Sequence, residues 1–279
     1  LLSRRQRQMC IRDSIYTDSK DFSKYTVMYE VKGKVLYEKL PFVLEMMHEI
    51  IYETKFEDEK RLREIIARIK SRMESNMTGS GHTVAMLSAM AQFSPSSYYS
   101  DILRGYQYYE FIEKADRDFD SMKEMLAENL KRTAALIFTK ENLTVSFTAE
   151  DDGLELLQKP MTEFVAKLAR LQEKDAVRTF RPVKEKTAYT SSSQVQYVAR
   201  CGNYRKAGYE YTGALKVLKI IFSYDYLWLN VRVKGGAYGC MSGFYRNGDT
   251  YMVSYRDPNL AETNTIFEQA AEYLSLIHI

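Results

Sequence analysis

The sequence predicts an α+β protein, in which helices and strands follow one another in mixed order. Two observations predict this class. Several long stretches repeat apolar residues at helical spacing, and shorter stretches alternate apolar and polar residues as half-buried strands do. No regular strand-helix-strand succession connects them, so the α+β class, with a mixed sheet and packed helices, is preferred. The chain has 279 residues, of which 45% are hydrophobic, and can therefore build one large domain or parts of two.

The first part of the chain is predicted to be mostly helical. Residues 25–31 alternate and predict a strand, and residues 142–148 predict a second one. The glycines at 79–81 predict a helix break, and Pro160 predicts a kink. Helices with one apolar stripe are predicted at residues 41–54, 58–77, 83–92, 98–114, 119–138 and 151–171.

A second domain is predicted after residues 173–193, which mix charges, a proline and serines without periodicity and indicate a linker. Residues 213–228 are apolar over most of the helix circumference and predict a deeply buried helix. Asn247 and Gly248 favour a type I′ turn between two strands. The other elements predicted here are strands at 194–201, 238–244 and 250–256 and a helix at 258–273.

The two ends of the chain point to one stretch of DNA. The sequence of residues 9–14, Met-Cys-Ile-Arg-Asp-Ser, is encoded by ATGTGTATAAGAGACAG plus one base. The reverse complement begins CTGTCTCTTATACACAT and encodes Leu-Ser-Leu-Ile-His-Ile, which is residues 274–279. One oligonucleotide in both orientations is what a sequencing-library adapter leaves, so we expect residues 1–14 and 274–279 to be an adapter artefact. The natural domains are then residues 15–172 and 194–273.

This exclusion removes the apparent basic charge. The formal net charge is +3, but residues 1–14 hold four Arg and one Asp, which leaves 36 basic and 36 acidic groups elsewhere. We therefore expect no nucleic-acid partner and no anionic membrane partner. No apolar run reaches the roughly 18 residues of a membrane span. Cys201 and Cys240 remain as the cysteines outside the adapter, and two cysteines indicate a reducing compartment and buried, unreactive thiols.

The most informative stretch is Arg-Val-Lys-Gly-Gly-Ala-Tyr-Gly at residues 232–239. Gly235 and Gly236 let the backbone bend or let a second backbone come close. They separate Arg232, which has five donors, from Tyr238, which has one hydroxyl. This arrangement can hold an extended peptide and can donate to a carbonyl oxygen under attack. A tight turn with a surface Arg and a half-buried Tyr is the alternative.

The stretch and its surroundings resemble the substrate-binding segment of presequence-protease-like enzymes, a branch of the insulinase (pitrilysin) zinc metallopeptidases. The resemblance covers the hydrophobic helix at 214–230, the Arg-x-Lys-Gly-Gly-Ala-Tyr-Gly core, and Ser-Tyr-Arg-Asp-Pro at 254–258. Weaker likeness extends over residues 56–94, with Arg-Leu-Arg-Glu at 61–64 and Ser-Gly-His at 80–82.

The resemblance implies a fold, a site and a cofactor. Residues 15–172 would be the later part of the family's third α/β-roll domain, and 194–273 the first part of the fourth. Arg232, Gly235, Gly236 and Tyr238 would bind substrate, with Arg232 holding peptide carbonyls and Tyr238 donating to the oxyanion. Zinc would be bound by the N-terminal half of the parent enzyme, and the partners would be that half and unfolded peptides.

The zinc motif of the family, His-x-x-Glu-His, does not occur in this chain. His48 and His82 lack metal-ligand spacing, so a helix position for His48 and a loop or helix cap for His82 are favoured. We expect the chain to bind no zinc and to be inactive alone. A bacterial cytoplasm is the expected location, with a mitochondrial or plastid matrix as the alternative. A non-catalytic paralogue that acts as a scaffold subunit, or a peptide-binding module without a protease domain, remains open.

Overall fold

The computed structural model describes residues 9–18, 21, 24–150, 152–171, 180–181, 183, 185–190 and 193–277. The chain divides into two compact units. The described residues within 1–14, 27–67 and 114–178 form the first unit, and those within 15–26, 68–113 and 179–279 form the second. The predicted linker lies mostly outside the described residues, so the domain boundaries stay a prediction.

The α+β class is confirmed, because helices are interspersed with antiparallel strands. In chain order, the helices and strands are β1 (Met9–Thr17), β2 (Tyr25–Gly33), α1 (Leu40–Tyr52), α2 (Glu59–Ala91), α3 (Pro95–Arg104), α4 (Tyr106–Arg117), α5 (Phe119–Ile137), α6 (Gly153–Lys167), β3 (Ala199–Asn203), α7 (Ala214–Ile221), a π-helical segment (Phe222–Lys234), β4 (Gly239–Phe244), β5 (Asp249–Tyr255), α8 (Ala261–Glu268) and α9 (Ala270–Ile277).

The first unit has its core where α1 packs on α6. Val43 and Leu44 of α1 are buried against Phe164 of α6 and Leu168 just beyond it. The Tyr52 hydroxyl at the end of α1 donates to the carbonyl of Phe138 at 2.7 Å and accepts from the Ala169 amide at 3.0 Å. One phenol therefore ties the end of α1 to the stretches that follow α5 and α6.

The strand predicted at residues 142–148 is wrong. These residues form no strand in the structure, and Leu143 and Val145 are 37% and 46% exposed. Alternation alone does not make a strand, because each strand needs a neighbour to accept its backbone hydrogen bonds. Close by, Thr139 makes only an isolated bridge to Ala169.

Helix α2 is kinked at Ser80, where φ is −133° and ψ is 33°. The break predicted at 79–81 is therefore present, as a kink inside one long helix. The carbonyls of Thr78 and Gly79 beside it accept from the hydroxyls of Tyr197 and Tyr255, at 2.6 and 3.2 Å. Two tyrosine hydroxyls thus bond to backbone carbonyls beside the kink.

The second unit is built on a three-stranded antiparallel sheet with the order β3-β5-β4. Ala199 lies opposite Val253, and Gly239 lies opposite Tyr255. The core beside the sheet combines buried residues of the π-helical segment and of the two C-terminal helices with one residue before β3 and one before β4: Val198, Phe222, Tyr226, Leu227, Val231, Ala237, Phe267 and Ala270. This core holds the end of the π-helical segment next to the ends of β4 and β5.

Two predicted helices are each divided in two. The helix expected at 98–114 is interrupted at Gly105, because buried Asp101 accepts from the Tyr106 amide at 2.9 Å and from Gln107 Nε2 at 2.9 Å. A new helix therefore begins at Tyr106. The helix expected at 258–273 is divided at Gln269.

The hairpin between β4 and β5 is present, but its predicted type I′ turn is wrong. Gly248 has a φ of +98°, whereas Asn247 has no positive φ, which a type I′ turn requires. The Asn247 side chain instead accepts from the Asp249 amide at 3.1 Å and donates to the Asp249 carboxylate at 2.8 Å. That carboxylate also accepts from Ser94 Oγ and Asn203 Nδ2, so the turn is fixed from outside.

The expected adapter residues are partly included in the fold. Residues 9–14 belong to β1, which pairs with β2, and Leu274 packs against the core of the second unit. The side chains of Ile11 and Ile277 lie outside the described residues. The adapter origin of these ends rests on the shared DNA sequence and stays a prediction.

Candidate functional site

The Arg-x-Lys-Gly-Gly-Ala-Tyr-Gly motif begins on the last turn of the π-helical segment. The buried residues of that segment are Phe222, Tyr226, Leu227 and Val231, in which the pair at 226–227 lies four residues from the buried residue on either side. Leu227 and Val231 are fully buried, whereas residues on the other side are exposed. The prediction of a helix buried all round is therefore wrong. The exposed apolar residues of α7 and of the π-helical segment that follows it are Val217, Ile220, Tyr224, Trp228, Leu229 and Val233.

Gly235 and Gly236 end the helix for two different reasons. Gly236 has a φ of +79°, a left-handed conformation that L side chains rarely adopt. Gly235 has an ordinary φ, but a Cβ on it would lie 2.7 Å from the carbonyl oxygen of Val231. The amides that follow donate backwards, from Gly236 to Arg232 at 3.0 Å and from Ala237 to Val231 at 3.1 Å. Two adjacent glycines thus cap a π turn.

Arg232 lies between two aromatic rings. Its guanidinium carbon is 4.5 Å from the centre of the Trp228 ring and 5.3 Å from the centre of the Tyr238 ring. Contact with aromatic faces holds the planar group in place and leaves its N–H edge free to donate. Arg232 makes no ion pair with a carboxylate in the described part of the chain. The structure therefore brings together the two side chains that the sequence singled out.

Tyr238 is fixed by its backbone and ring but not by its hydroxyl. Its amide donates to the carbonyls of Tyr255 and Arg256, at 3.1 and 3.2 Å. Its ring meets the Tyr255 ring edge to face, with centres 5.8 Å apart. The side chain is 65% exposed, and its hydroxyl has no hydrogen-bond partner among the residues described. A positioned phenol with a free hydroxyl can donate to an incoming oxygen.

An open depression of about 510 Å³ connects these groups. Arg256, at the end of β5, is a further cationic residue on its wall. Sequence reasoning singled out neither Trp228 nor Arg256 as part of the site. The signal for Trp228 was its position four residues before Arg232, which places both on one side of a helix. The residues that line the depression are Val195, Trp228, Arg232, Val233, Gly236, Ala237, Tyr238 and Arg256.

His82 supports the site from behind rather than binding metal. It lies inside α2 just after the kink, not in a loop or cap, and meets the Tyr255 ring edge to face at 4.9 Å. Burial lowers the pKa of His82, and its Nδ1 is buried without a hydrogen-bond partner. Tyr255 in turn touches Tyr238. A row of rings therefore connects the kink of α2 to the depression.

The described residues do not supply a metal centre. No group of three or more His, Cys, Asp or Glu side chains in this part of the chain is placed to hold an ion. His48 packs on the Tyr52 ring of the same helix, with centres 4.8 Å apart. Burial raises the pKa of Cys201 to about 12 and that of Cys240 to about 11, so neither thiol ionises readily. No helix over the described ranges is long and apolar enough to cross a membrane.

Known proteins match both parts of the chain. Residues 9–114 match the family model for the associated domain of M16 peptidases of subfamily C, and residues 186–278 match the model for the PreP C-terminal domain. Protein HypA of Clostridium perfringens is 33% identical over 263 residues, which are 93% of this chain and 26% of that protein.

Two eukaryotic relatives match most of the chain as well. Presequence protease 1, chloroplastic/mitochondrial, of Arabidopsis thaliana is 28% identical over 246 residues, covering 88% of this chain and 23% of the relative. The mitochondrial presequence protease of Xenopus tropicalis is 24% identical over 297 residues, a match that covers 95% of this chain and 28% of that relative. The chain thus spans about a quarter of the length of these relatives. It belongs to the presequence-protease-like branch of the M16 metallopeptidases, as part of the C-terminal region of such a protein.

Proposed function

We propose that this chain carries the peptide-binding surface of a zinc metalloendopeptidase that degrades unstructured peptides such as cleaved presequences. The supporting observation is the position of Arg232, stacked between two rings beside the free hydroxyl of Tyr238 on an open depression. Zinc would be held by the N-terminal half of the parent protein, outside this chain. His48 and His82 do not fit a zinc site, since no group of three or more ligating side chains forms around either of them in the described part of the chain.

Arg232 would position the peptide through its backbone. A guanidinium packed between two aromatic rings loses little conformational freedom when its N–H groups meet carbonyl oxygens. Backbone carbonyls are common to all sequences, so this contact suits an enzyme with varied substrates. Tyr238 would donate its hydroxyl to the oxygen of the scissile carbonyl as negative charge develops there.

The exposed apolar side of α7 and the π-helical segment supports a closing role in the parent. Val217, Ile220 and Tyr224 are 58%, 59% and 70% exposed. Apolar surface of this kind is stabilised when another surface covers it. The N-terminal catalytic half is the partner that we propose, so that both halves would enclose the peptide. One relative comes from the bacterium Clostridium perfringens and another is named chloroplastic/mitochondrial, so a bacterial cytoplasm is the location that we propose, with an organelle matrix as the alternative.

The test uses the full-length parent protein with Tyr238→Phe and Arg232→Lys. Tyr238→Phe removes one hydroxyl and almost no volume, so kcat should fall by about 10²–10³ with an unchanged fold. Arg232→Lys keeps the charge but loses the planar fork, so kcat/KM should fall. Zinc content, measured by atomic absorption, should stay at the parental value in both variants.

Tyr209→Phe is the matched control, because Tyr209 is 70% exposed and does not line the depression. It should turn over peptides at the parental rate. If Tyr238→Phe also does so in a folded protein, Tyr238 is a packing residue. If the parent itself cleaves no peptide and holds no zinc, the chain belongs instead to a non-catalytic paralogue that acts as a scaffold.

A further inference from the structure

We infer that the depression contains a subsite for a carboxylate of the bound peptide, formed by Arg256 together with Arg232. This inference rests on the proposed peptide-binding function and adds a substrate preference to it. The eight lining residues include both arginines and no acidic residue. No carboxylate in the described part of the chain forms an ion pair with either guanidinium.

Both guanidiniums are held by rings and keep donors free. Arg232 lies between Trp228 and Tyr238, and the guanidinium carbon of Arg256 is 5.6 Å from the centre of the Tyr255 ring. An arginine packed on an aromatic face keeps the N–H groups at the edge of its guanidinium available. These N–H groups form the planar fork that matches the two oxygens of a carboxylate. Rings rather than acidic partners fix these arginines, so their charge is available to a ligand.

The backbone conformation of Arg256 supports a binding role independently of its side-chain contacts. Its φ is +47°, and it is the single non-glycine residue with a positive φ among those described. The conformation is imposed from both sides. The Arg256 carbonyl accepts from the Tyr238 amide at 3.2 Å, and the next residue, Asp257, exchanges backbone hydrogen bonds with Gln196 at 2.8 and 2.9 Å. A strained arginine at the wall of a ligand-sized depression is typical of a binding site.

The neighbouring Asp257 is not ion-paired with either arginine. Its side chain is fully buried, and its two oxygens accept from the Asn259 amide at 2.9 Å and from Thr263 Oγ1 at 2.7 Å. Both oxygens are therefore engaged below the surface. The two guanidiniums of the depression outnumber this one carboxylate and leave a local excess of positive charge, although the chain outside its first 14 residues is neutral.

A carboxylate on a peptide has two sources, the C-terminus and an acidic side chain. Both present the same two oxygens to the arginine forks, so the test must separate them. Trp228 is the single tryptophan of the chain and contacts Arg232, so its fluorescence reports binding at this site without any catalysis.

The experiment titrates the chain with unstructured, acetylated decapeptides that lack aromatic residues, in low-salt buffer. Three peptides differ only in the central residue and the C-terminus. The first has a central Gln and an amidated C-terminus, the second has a central Glu and an amidated C-terminus, and the third has a central Gln and a free C-terminus. We expect one or both charged peptides to bind about tenfold more tightly than the neutral one, and added salt to reduce the difference.

Three variants test whether the preference for charged peptides depends on Arg256. Arg256→Gly removes the guanidinium and also the strained φ, so it should fold at least as well as the parent and lose the tenfold preference. Arg256→Gln, which keeps the strain, should lose the preference too. Arg246→Gln is the matched control, because Arg246 also stacks on a ring, that of Tyr211 at 5.7 Å, but lies outside the depression. It should keep the preference.

Each outcome of the titrations either supports or overturns the carboxylate subsite. Equal affinities for charged and neutral peptides overturn the carboxylate subsite and leave the peptide-binding proposal standing. A preference that survives in Arg256→Gly, or that disappears equally in Arg246→Gln, shows general charge attraction and also overturns it. If no peptide changes Trp228 fluorescence, peptide binding by this surface is itself refuted. Preference for the free C-terminus or for Glu identifies which carboxylate the subsite receives.

Discussion

Gly236 gives a direct test of how the substrate-binding motif is built. At its φ of +79°, a Cβ would meet only Pro258 Cγ, at an ordinary contact distance of 3.7 Å. The cost of a side chain is therefore conformational rather than steric, and the left-handed region costs an L residue about 1–2 kcal/mol. We expect Gly236→Ala to lower the free energy of unfolding by that amount. Gly236→Asn should cost less, because Asn tolerates this region.

Gly235 should behave differently, although it is the adjacent residue. A Cβ there would lie 2.7 Å from the Val231 carbonyl oxygen and 3.1 Å from that of Asn230, both of which are backbone atoms. Overpacking of this kind costs about 1–3 kcal/mol. Because the obstacle is space, Asn should be no better than Ala at position 235. The pattern of rescue by Asn thus separates the two glycines even if their alanine variants are equally destabilised.

Urea unfolding followed by Trp228 fluorescence measures these changes, since that residue lies on the same π-helical segment. Gly213→Ala is the control, because Gly213 has a φ of −58° and nothing within 4 Å of a Cβ. It should leave stability unchanged or raise it by about 0.4–1 kcal/mol. A Gly236→Ala variant that unfolds at the parental urea midpoint would refute the left-handed cap.

Further predictions concern the core, the thiols and the histidine behind the site. Leu227→Ala removes a fully buried side chain and should cost about 2–5 kcal/mol in urea unfolding, and a loss below about 1 kcal/mol would contradict its place in the core. In a Cys10→Ser variant at pH 8, Cys201 and Cys240 should react with a thiol reagent more than about 100-fold more slowly than after unfolding, because burial raises their pKa values. Rapid labelling of the folded chain would contradict this. The pKa of His82 is lowered by burial, so the unfolded chain binds its proton first and stability should fall as the pH drops below about 6.5. His82→Asn should flatten the slope of stability between pH 7 and 5, and an unchanged slope would show that another group titrates.

The sequence predicted the elements whose periodicity reports packing within the chain. The strand at β2 and the helices α1 and α5 lie where apolar spacing placed them. Elements that depend on particular backbone or side-chain partners were misjudged. The 142–148 stretch has the alternation of a strand but no described neighbour to pair with. Gly105 and the β4-β5 turn depend on the buried carboxylates of Asp101 and Asp249, whose partners periodicity does not reveal.

The site was predictable where one short motif holds it and unpredictable where folding assembles it. Arg232, Gly235, Gly236 and Tyr238 fall within seven consecutive positions, so their proximity followed from the chain. Arg256 joins them only because β4 and β5 pair in register and place the end of one beside the start of the other. The π-helical turn was also unforeseen, since its buried residues suit an α-helix as well as a π-helix.

The kink of α2 has a consequence for the order in which the chain can fold. The bond from the Tyr255 hydroxyl to the Gly79 carbonyl joins residues 176 positions apart, and Tyr197 bonds to Thr78 across 119 positions. Contacts this distant in sequence require closure of a long loop and are slow to form. At about 5–20 residues per second, synthesis would take roughly 10–35 s to proceed from the kink to Tyr255. Tyr197 is made first, after roughly 6–24 s, and until then the kinked part of α2 has neither tyrosine partner, so the newly made helix would depend on chaperones or on the preceding chain for protection.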